Sequence, residues 1–497
     1  MRIDYLWHSE FMIHIKNKSG EYIKIMSDSW LSDFVAWDMM ARNPRIKLDY
    51  EKLKSIDAIF LSHSHLDHID PYTLIDLFEN LEKKPDIFLA ETLAFLEPLF
   101  VKNLKNVNII ILENKKTIDY KWLKITWLIY KNSFITNEDD VMTLFIENED
   151  ELIYSDVDTE PGSNFEVIEY MYEFFNKKNY SQVIYLATRN ELEWNLKLFD
   201  AKNVKERQKI DSEYRAFRKE EIIREYEKFE VEWINSFYET KNLSKIFIWQ
   251  WIVFPKEINS EVFCLNTMKL EQVKDIEQKT ARDFGYKTNF SYFKWWQSYI
   301  IENNVIKNIW NIDYLSEIDL IDVKQDLTLD FFRKLNFAPL NNEKREIRKQ
   351  KEIILDLINN RFFPYALANL EIPLKDAILE SSRKKYCIKI RYGIKDDFEN
   401  IYYVFDFGKL KFEIENLEDD YFNEDYWAND LEDFYNWTQE LYSNFLHKLD
   451  EKKSYRLWTF LWSNFLNNDL LYKKFDFHFT KAKNKESINE FVLKHYK

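Results

Sequence analysis

Three of the chain's eight histidines lie within six residues, at positions 63–68, where the sequence is His-Ser-His-Leu-Asp-His. A short apolar run at residues 56–61 comes directly before them and predicts a buried strand. A tight loop at the end of a strand can point alternate side chains to one place, and such loops commonly carry functional residues. Imidazole nitrogens and carboxylate oxygens are protein ligands that suit zinc, iron and manganese. The segment therefore predicts a metal site.

The histidine loop offers ligands for two metal positions. We expect His63 and His65 to bind the first metal, and Asp67 and His68 to bind the second. The carboxylate favours iron or manganese, although zinc also suits imidazole. A bound metal lowers the pKa of its water and supplies a nucleophile, or binds O2 if it is redox-active. The alternative, a polar loop without metal, is disfavoured because ionisable groups this close repel one another or need desolvation without a cation.

Further ligands must come from other parts of the chain. Asp28 follows a predicted strand, where it could orient a ligand histidine or simply cap a turn. Asp156 and Asp158 follow the apolar run at residues 152–154. We expect Asp158 to bridge two metals or complete a single site, and to share the catalytic work with Asp67. Asp156 is then a solvated or capping carboxylate.

The other five histidines are weaker candidates. His8 and His14 lie on early strands, where histidines are more often ordinary half-buried residues than ligands, although His8 could line the pocket. His447 and His495 are predicted on surface helices. His478 is predicted to be structural.

The elements that must position these residues are short strands separated by polar turns. Residues 11–15 and 22–26 are apolar runs joined by a predicted hairpin turn at residues 17–20. Pro71 marks the start of a helix after the histidine loop. Many short strands with helices between them predict an α/β protein with an αββα sandwich over residues 1–270.

Two regions stand apart from this pattern. Residues 201–242 are highly charged with helical spacing, which predicts a helical insertion on the surface. From residue 290 the composition shifts towards helices rich in Trp, Phe and Tyr, with a three-stranded antiparallel unit inside. We therefore predict a separate helix-rich, aromatic α+β domain over residues 290–497.

Composition limits the classes of function. The chain has 497 residues, of which 46% are hydrophobic, and a net charge of −16 without a basic stripe, so nucleic acid is not an expected partner. The two cysteines, Cys264 and Cys387, form no metal or disulfide pattern. With no apolar run of membrane-spanning length and no signal-peptide pattern, we expect a cytoplasmic enzyme acting on a small molecule.

The motifs resemble those of the metallo-β-lactamase superfamily. In detail they are similar to the branch that contains the hydroxylase domain of CMP-N-acetylneuraminate hydroxylase and the ascorbate-6-phosphate-lactonase-like group. The matching segments are residues 28–31, 61–68, 70–74 and 157–161. The resemblance extends firmly over residues 25–165, and it implies a metal site of His63, His65, Asp67, His68 and Asp158.

The chain departs from the family pattern at three points. The hydroxylase has a Rieske domain with paired Cys and His ligands, which this sequence lacks, so electrons are expected from another protein or from the substrate. The superfamily has a third histidine for the first metal, whereas residues 136–140 here contain none, and Asn137 or a neighbouring acidic residue would have to replace it. A later superfamily histidine is also missing, and Gln250 is its candidate replacement.

The resemblance favours an iron- and O2-dependent oxidoreductase that hydroxylates a small polar metabolite, such as a nucleotide sugar or natural-product intermediate. The alternative is a metallo-hydrolase, a phosphodiesterase or lactonase, in which a hydroxide bound to zinc or manganese attacks an ester. In a third interpretation the site is decaying and the aromatic C-terminal domain makes the chain a binding protein. The intact histidine loop argues against that interpretation.

Overall fold

The elements were assigned in a computed structural model. The residues that it describes are 1–17, 19–35, 40–41, 46–130, 141–159, 165–189, 192–194, 239–249, 264–266, 270–294, 296–309, 311–317, 339, 342–364, 387–406, 409, 411–415, 424–436 and 468–484, with single positions and pairs between 209 and 224.

The strands of these regions, in chain order, are β1 (Arg2–Trp7), β2 (Glu10–Lys16), β3 (Tyr22–Ser27), β4 (Phe34–Val35), β5 (Met40–Ala41), β6 (Ile46–Leu48), β7 (Ala58–Leu61), β8 (Asp86–Ala90), β9 (Asn108–Leu112), β10 (Ile118–Tyr120), β11 (Leu123–Tyr130), β12 (Val141–Glu147), β13 (Glu151–Ser155), β14 (Gln182–Arg189), β15 (Leu192–Trp194), β16 (Leu243–Trp249), β17 (Cys264–Asn266), β18 (Asn289–Tyr292), β19 (Gln297–Glu302), β20 (Val305–Asn308), β21 (Leu315–Glu317), β22 (Cys387–Ile394), β23 (Asp397–Asp406), β24 (Lys411–Glu415) and β25 (Glu424–Trp427). The α-helices are α1 (Tyr50–Leu53), α2 (Pro71–Asn80), α3 (Glu97–Asn103), α4 (Phe165–Asn176), α5 (Leu270–Asp283), α6 (Ile347–Asp356), α7 (Ala428–Tyr435) and α8 (Asn468–Lys483). A 3-10 helix (Glu91–Leu96) leads into α3, and a π-helix (Leu357–Phe362) follows α6.

Two large mixed sheets dominate the first part of the chain. The first sheet has the strand order β20-β19-β1-β2-β3-β7-β8-β9, and the second has the order β10-β11-β12-β13-β14-β16-β18. In each sheet one central strand is buried at every position, namely all four residues of β7 and all seven of β12, which requires cover on both faces there. The predicted αββα sandwich is confirmed.

Each sheet is antiparallel at one end and parallel at the other. Strands β3, β7, β8 and β9 pair in parallel, as do β13, β14, β16 and β18. Helices α2 to α5 lie in the crossovers, as parallel pairing requires. The loops that follow β3, β7 and β13 therefore leave the carboxyl ends of parallel strands, where open α/β sheets place their functional groups.

An aromatic core joins the second sheet to α4. The Phe145 ring lies 4.6 Å from Tyr154 and 4.4 Å from Phe174, measured between ring centroids. Val273 of α5 belongs to the same buried cluster. Large aromatic side chains supply much apolar area for each ordered residue, so this layer stabilises the strand that leads to Asp158.

The described residues fall into two compact units. One contains residues up to 317 together with 478–484, and the other contains residues 339–477. We predicted the second domain to begin at residue 290, but β18 and β19 pair with β16 and β1 of the two large sheets. Strand pairing therefore keeps residues 289–308 in the first unit, although their composition resembles that of the region after them.

The second unit contains the predicted antiparallel strands, here β22, β23 and β24, and adds β25 in parallel beside β22. Of the predicted insertion at 201–242, the described positions between 209 and 224 are helical. Among the helices that the structure describes, none combines the length and hydrophobicity needed to cross a membrane.

Asp4 of β1 is the centre of a buried polar network. Its carboxylate accepts hydrogen bonds from Arg2 Nε (2.7 Å), from Tyr314 Oη (2.8 Å) and from the Ser298 hydroxyl, and it lies 2.8 Å from His14 Nε2. Burial alone would raise the pKa of Asp4, but His14 and Arg2 outweigh burial and hold that pKa well below its usual range. The network connects β1, β2 and β19 through one ionised side chain.

We expect Asp4→Asn to lower the free energy of unfolding by about 3–5 kcal/mol at neutral pH, because it leaves buried donors without an anionic acceptor. The depressed pKa means that the stabilisation is present above the unfolded-state pKa of about 4 and is lost as pH falls below it. Denaturant titrations at pH 7 and at pH 3 measure both effects. Asp119→Asn, at an exposed carboxylate paired with Lys124, is the control and should change stability by less than about 0.5 kcal/mol. Equal unfolding free energies for Asp4→Asn and the unmodified protein at pH 7 would contradict the prediction.

Candidate metal centre

The histidine loop is held rigidly at both ends. It begins at the carboxyl end of β7, whose four residues are buried, and it ends at the N-cap of α2. The Asp70 carboxylate accepts hydrogen bonds from Tyr72 N (3.0 Å) and Thr73 N (3.2 Å), and Pro71 occupies the first helical turn. Side-chain capping of this kind satisfies amides that the helix cannot.

His63 and His65 meet at one point of the loop. His63 Nε2 lies 2.8 Å from His65 Nδ1, and the Ser62 hydroxyl lies 2.9 Å from His63 Nδ1. Burial and the neighbouring rings of His68 and His65 lower the pKa of His63 well below its usual value. A neutral imidazole is the form that binds a metal ion.

Asp158 lies between two histidine rings. Its Oδ2 atom is 3.0 Å from His68 Nε2 and 3.5 Å from His63 Nε2, and the centroids of these two rings are 3.9 Å apart. Asp158 follows β13 of the second sheet, whereas both histidines follow β7 of the first. One carboxylate oxygen of Asp158 therefore faces both rings, and the bridging role that we expect for Asp158 stays a prediction.

Asp67 and His8 flank the other side of His68. Asp67 Oδ2 lies 3.8 Å from His68 Nε2 and 3.2 Å from His8 Nε2. Burial would raise the pKa of Asp67, but His68 and His8 outweigh burial and hold it well below its usual range. The structure thus brings together all five predicted ligands and also the His8 ring, which the sequence left as a pocket candidate.

Asp28 orients the His68 ring through a contact with its Nδ1 atom. Its Oδ2 atom lies 2.8 Å from His68 Nδ1, and its Oδ1 atom accepts a hydrogen bond of 2.8 Å from Ser62 N. With Nδ1 engaged by a carboxylate, Nε2 is the nitrogen that faces Asp158. Burial would lower the pKa of His68, but the carboxylates of Asp158, Asp28 and Asp67 raise it well above its usual value.

Asp156 is directed away from the histidine rings. Its Oδ2 accepts a hydrogen bond from Tyr185 Oη (2.8 Å), and its Oδ1 accepts one from Thr188 N (2.7 Å). The side chain is fully buried, so it acts as a capping carboxylate rather than a solvated one. Val157 has a positive φ of 52°, and this sharp turn follows the capped position and leads to Asp158.

Two predicted candidates, Asn137 and Gln250, lie outside the described residues. Glu10, which no sequence pattern singled out, is a fully buried carboxyl on β2 whose Oε1 accepts a hydrogen bond from Trp30 N (3.3 Å). Burial raises the pKa of Glu10 well above its usual value, and Asp28 and Asp67 act in the same direction. A single acidic residue between Ser9 and Phe11 was the only signal for it.

The donor set fits a divalent cation. His63, His68 and Asp158 offer two nitrogens and one carboxylate oxygen within 4.8 Å of one another. Asp158 Oδ1 is buried and, among the described residues, has no hydrogen-bond partner. Because a buried carboxylate oxygen without a hydrogen-bond partner is costly, a bound cation is a natural partner of this oxygen. Two imidazoles with one carboxylate suit iron or zinc.

No protein-family model matches the chain, and no curated protein matches it by sequence. Among solved structures, the chain is similar to a mutant of the β-hydroxylase CmlA (10% identity, 62% of this chain and 53% of that chain, TM-score 0.35). CmlA itself, a diiron β-hydroxylase from Streptomyces venezuelae, gives 8% identity over 62% and 54% with a TM-score of 0.32. The metallo-β-lactamase fold protein YhfI from Bacillus subtilis gives 11% identity over 59% and 96% with a TM-score of 0.31. The chain thus spans about half the length of the CmlA chains.

The sandwich and the placement of the histidine loop after β7, both expected from the sequence, are present in the structure. The assignment to the hydroxylase branch stays a prediction.

We expect Asp28→Asn to lower the affinity for Zn2+ by about 10–100-fold, since the loss of an outer carboxylate costs that much at comparable sites. Isothermal titration of the metal-free protein with Zn2+ measures the change. Asp4→Asn is the matched control, because Asp4 also lies 2.8 Å from a buried histidine nitrogen, that of His14, but contacts none of the loop histidines. An equal loss of affinity in both variants would show general destabilisation instead of a role for Asp28.

Proposed function

We propose that this chain is a metal-dependent enzyme whose centre uses iron and O2 to oxidise or hydroxylate a small polar metabolite. The observation that carries the proposal is that His63 Nε2 and His68 Nε2 lie 3.5 Å and 3.0 Å from the same oxygen, Oδ2 of Asp158. Two imidazoles and one carboxylate on one side of an ion leave its other positions open, and this ligand set is typical of non-haem iron oxygenases.

In this proposal His63, His65, Asp67, His68 and Asp158 hold the metal. When bound, a redox-active ion supplies O2 binding, and a non-redox ion supplies a water of lowered pKa. The chain itself orients the ligands through Asp28 and Ser62. Asp158, whose buried Oδ1 has no hydrogen-bond partner among the described residues, would contribute a carboxylate oxygen to the ion.

The substrate would approach from the side of the carboxylates. The His63 and His68 side chains are 1% and 0% exposed, whereas those of Asp67 and Asp158 are 15% and 20% exposed. Of these four side chains, the two carboxylates are therefore the more exposed. An anionic rim of this kind favours substrates with hydroxyl or amine groups over strongly anionic ones, unless the metal compensates the charge.

Oxidative chemistry needs electrons. The two cysteines, Cys264 and Cys387, lie far apart in sequence and show no spacing typical of a ligand pair for an iron–sulfur cluster. We propose that a separate reductase or the substrate itself supplies them.

A hydrolase is the second candidate function, because two histidines and one carboxylate also bind catalytic zinc. In that case the chain would be a phosphodiesterase or lactonase, and Asp67 or Asp158 would orient the attacking water. Zinc or manganese would then replace iron. The same ligand geometry serves both proposals, so the metal present in the native protein distinguishes them.

We expect protein purified without added metal to contain iron, and His63→Ala/His65→Ala to lose the metal of the first position, because two of the nitrogens at that position are removed. Elemental analysis of both proteins measures this. His14→Ala, at a buried histidine outside the loop, is the control and should retain metal.

Activity separates the two chemistries. O2 consumption with a chemical reductant supports the iron enzyme, whereas bound zinc with cleavage of bis-p-nitrophenyl phosphate or a simple lactone supports the hydrolase. Unchanged metal content in the double variant would refute the ligand assignment, and absence of metal uptake by the unmodified protein would refute both functions.

A further inference from the structure

His8 has an unusual backbone conformation. It begins the two-residue turn between β1 and β2 and has a φ of 45°. Turns of this length favour Gly or Asn, because a larger side chain is strained at positive φ. Tyr5 Oη donates a hydrogen bond of 2.8 Å to the His8 carbonyl and helps to hold this conformation. Strain of this kind persists where the surrounding structure enforces it, and it is concentrated at functional sites.

The turn directs the His8 ring into the site. The residue is 1% exposed, and its ring lies 5.5 Å from that of His68 and 5.4 Å from that of Trp30, in edge contacts. Its Nε2 atom lies 3.2 Å from Asp67 Oδ2. The nitrogen therefore faces the same carboxylate as His68 does.

The spacing of these atoms is that of ligands to one ion. His8 Nε2, Asp67 Oδ2 and His68 Nε2 lie within 4.8 Å of one another, with separations of 3.2 Å and 3.8 Å from the Asp67 oxygen. Ligand atoms held about 2.0–2.2 Å from a metal ion in tetrahedral geometry are separated by about 3.3–3.6 Å. Small side-chain adjustments would bring all three to one ion.

A structural histidine–aspartate pair has different surroundings in this protein. Asp4, which pairs with His14, has no exposed surface and also accepts hydrogen bonds from Arg2, Ser298 and Tyr314. Asp67 is 15% exposed and lies in the loop that carries the other ligands. The pair of His8 and Asp67 therefore has the setting of a binding site.

We propose that His8 is a ligand of the second metal position, together with Asp67 and His68. This inference rests on the proposed metal centre. It makes His8, in the turn between β1 and β2, the third ligand of the second position. His68 Nε2 can ligate only one ion, so His63, His65 and Asp158 would hold the first position, and His8, Asp67 and His68 the second.

The test is the number of Zn2+ ions bound per chain in His8→Gly and His8→Asn. Both replacements tolerate positive φ, so the turn is retained while the imidazole is lost. We expect two ions for the unmodified protein and one for each variant, with the affinity for the second ion lowered by at least the 10–100-fold that loss of an outer partner costs. Free imidazole should restore the second ion to His8→Gly by filling the space of the missing ring. His14→Gln is the control and should bind two ions.

The outcomes separate this inference from the proposed function. Two ions with unchanged affinity in both His8 variants would overturn the role of His8 and leave the metal centre intact, as would one ion in the unmodified protein. No bound metal in the unmodified protein would overturn both. As a measurement that needs no variant, anomalous diffraction from Zn2+-soaked crystals should show an ion about 2.0–2.1 Å from His8 Nε2. An ion beside Asp67 that does not contact His8 would overturn the inference.

Discussion

The buried interaction between Asp28 and His68 is the one on which the site depends. Asp28 follows β3 and His68 belongs to the loop after β7, so a contact of 2.8 Å joins the ends of two neighbouring parallel strands. The other carboxylate oxygen of Asp28 accepts the Ser62 amide. Together these contacts set both the path of the loop and the nitrogen that His68 presents to Asp158. The positions of His63 and His65 are then set by the short path of the same loop.

The second sheet supplies a carboxylate from outside the histidine loop. Asp158 comes from the end of β13, and the backbone hydrogen bond from Met142 N to Ser62 O (3.2 Å) connects β12 to the histidine loop. The site therefore forms only when both sheets are in place, and the aromatic layer around Phe145 contributes to it indirectly. The pKa values of two adjacent rings shift in opposite directions. Burial lowers the pKa of His68 but three carboxylates outweigh it and raise that pKa, whereas burial and the neighbouring rings lower the pKa of His63.

Some features could be predicted because they are local. Residues 63–68 are close in sequence, so their meeting needs only a strand and a tight turn, and the apolar run before them was visible. The alternation of short strands with helices predicted the sandwich for the same reason. The boundary of the second unit could not be predicted from local patterns. It depends on β18 and β19 joining strands that precede them by about 45 and 290 residues in sequence, and composition carries no record of such pairing.

The sequence by itself determined the residue types of the centre and the loop that carries most of them, since spacing and strand period act over a few residues. Only the tertiary structure decided which distant side chains meet that loop. His8 looked like an ordinary half-buried histidine until the turn between β1 and β2 directed it to Asp67, and Asp156 and Asp158 were told apart by the directions of their carboxylates. The physical reason is that sheet order and register, not sequence separation, bring the ends of these strands together.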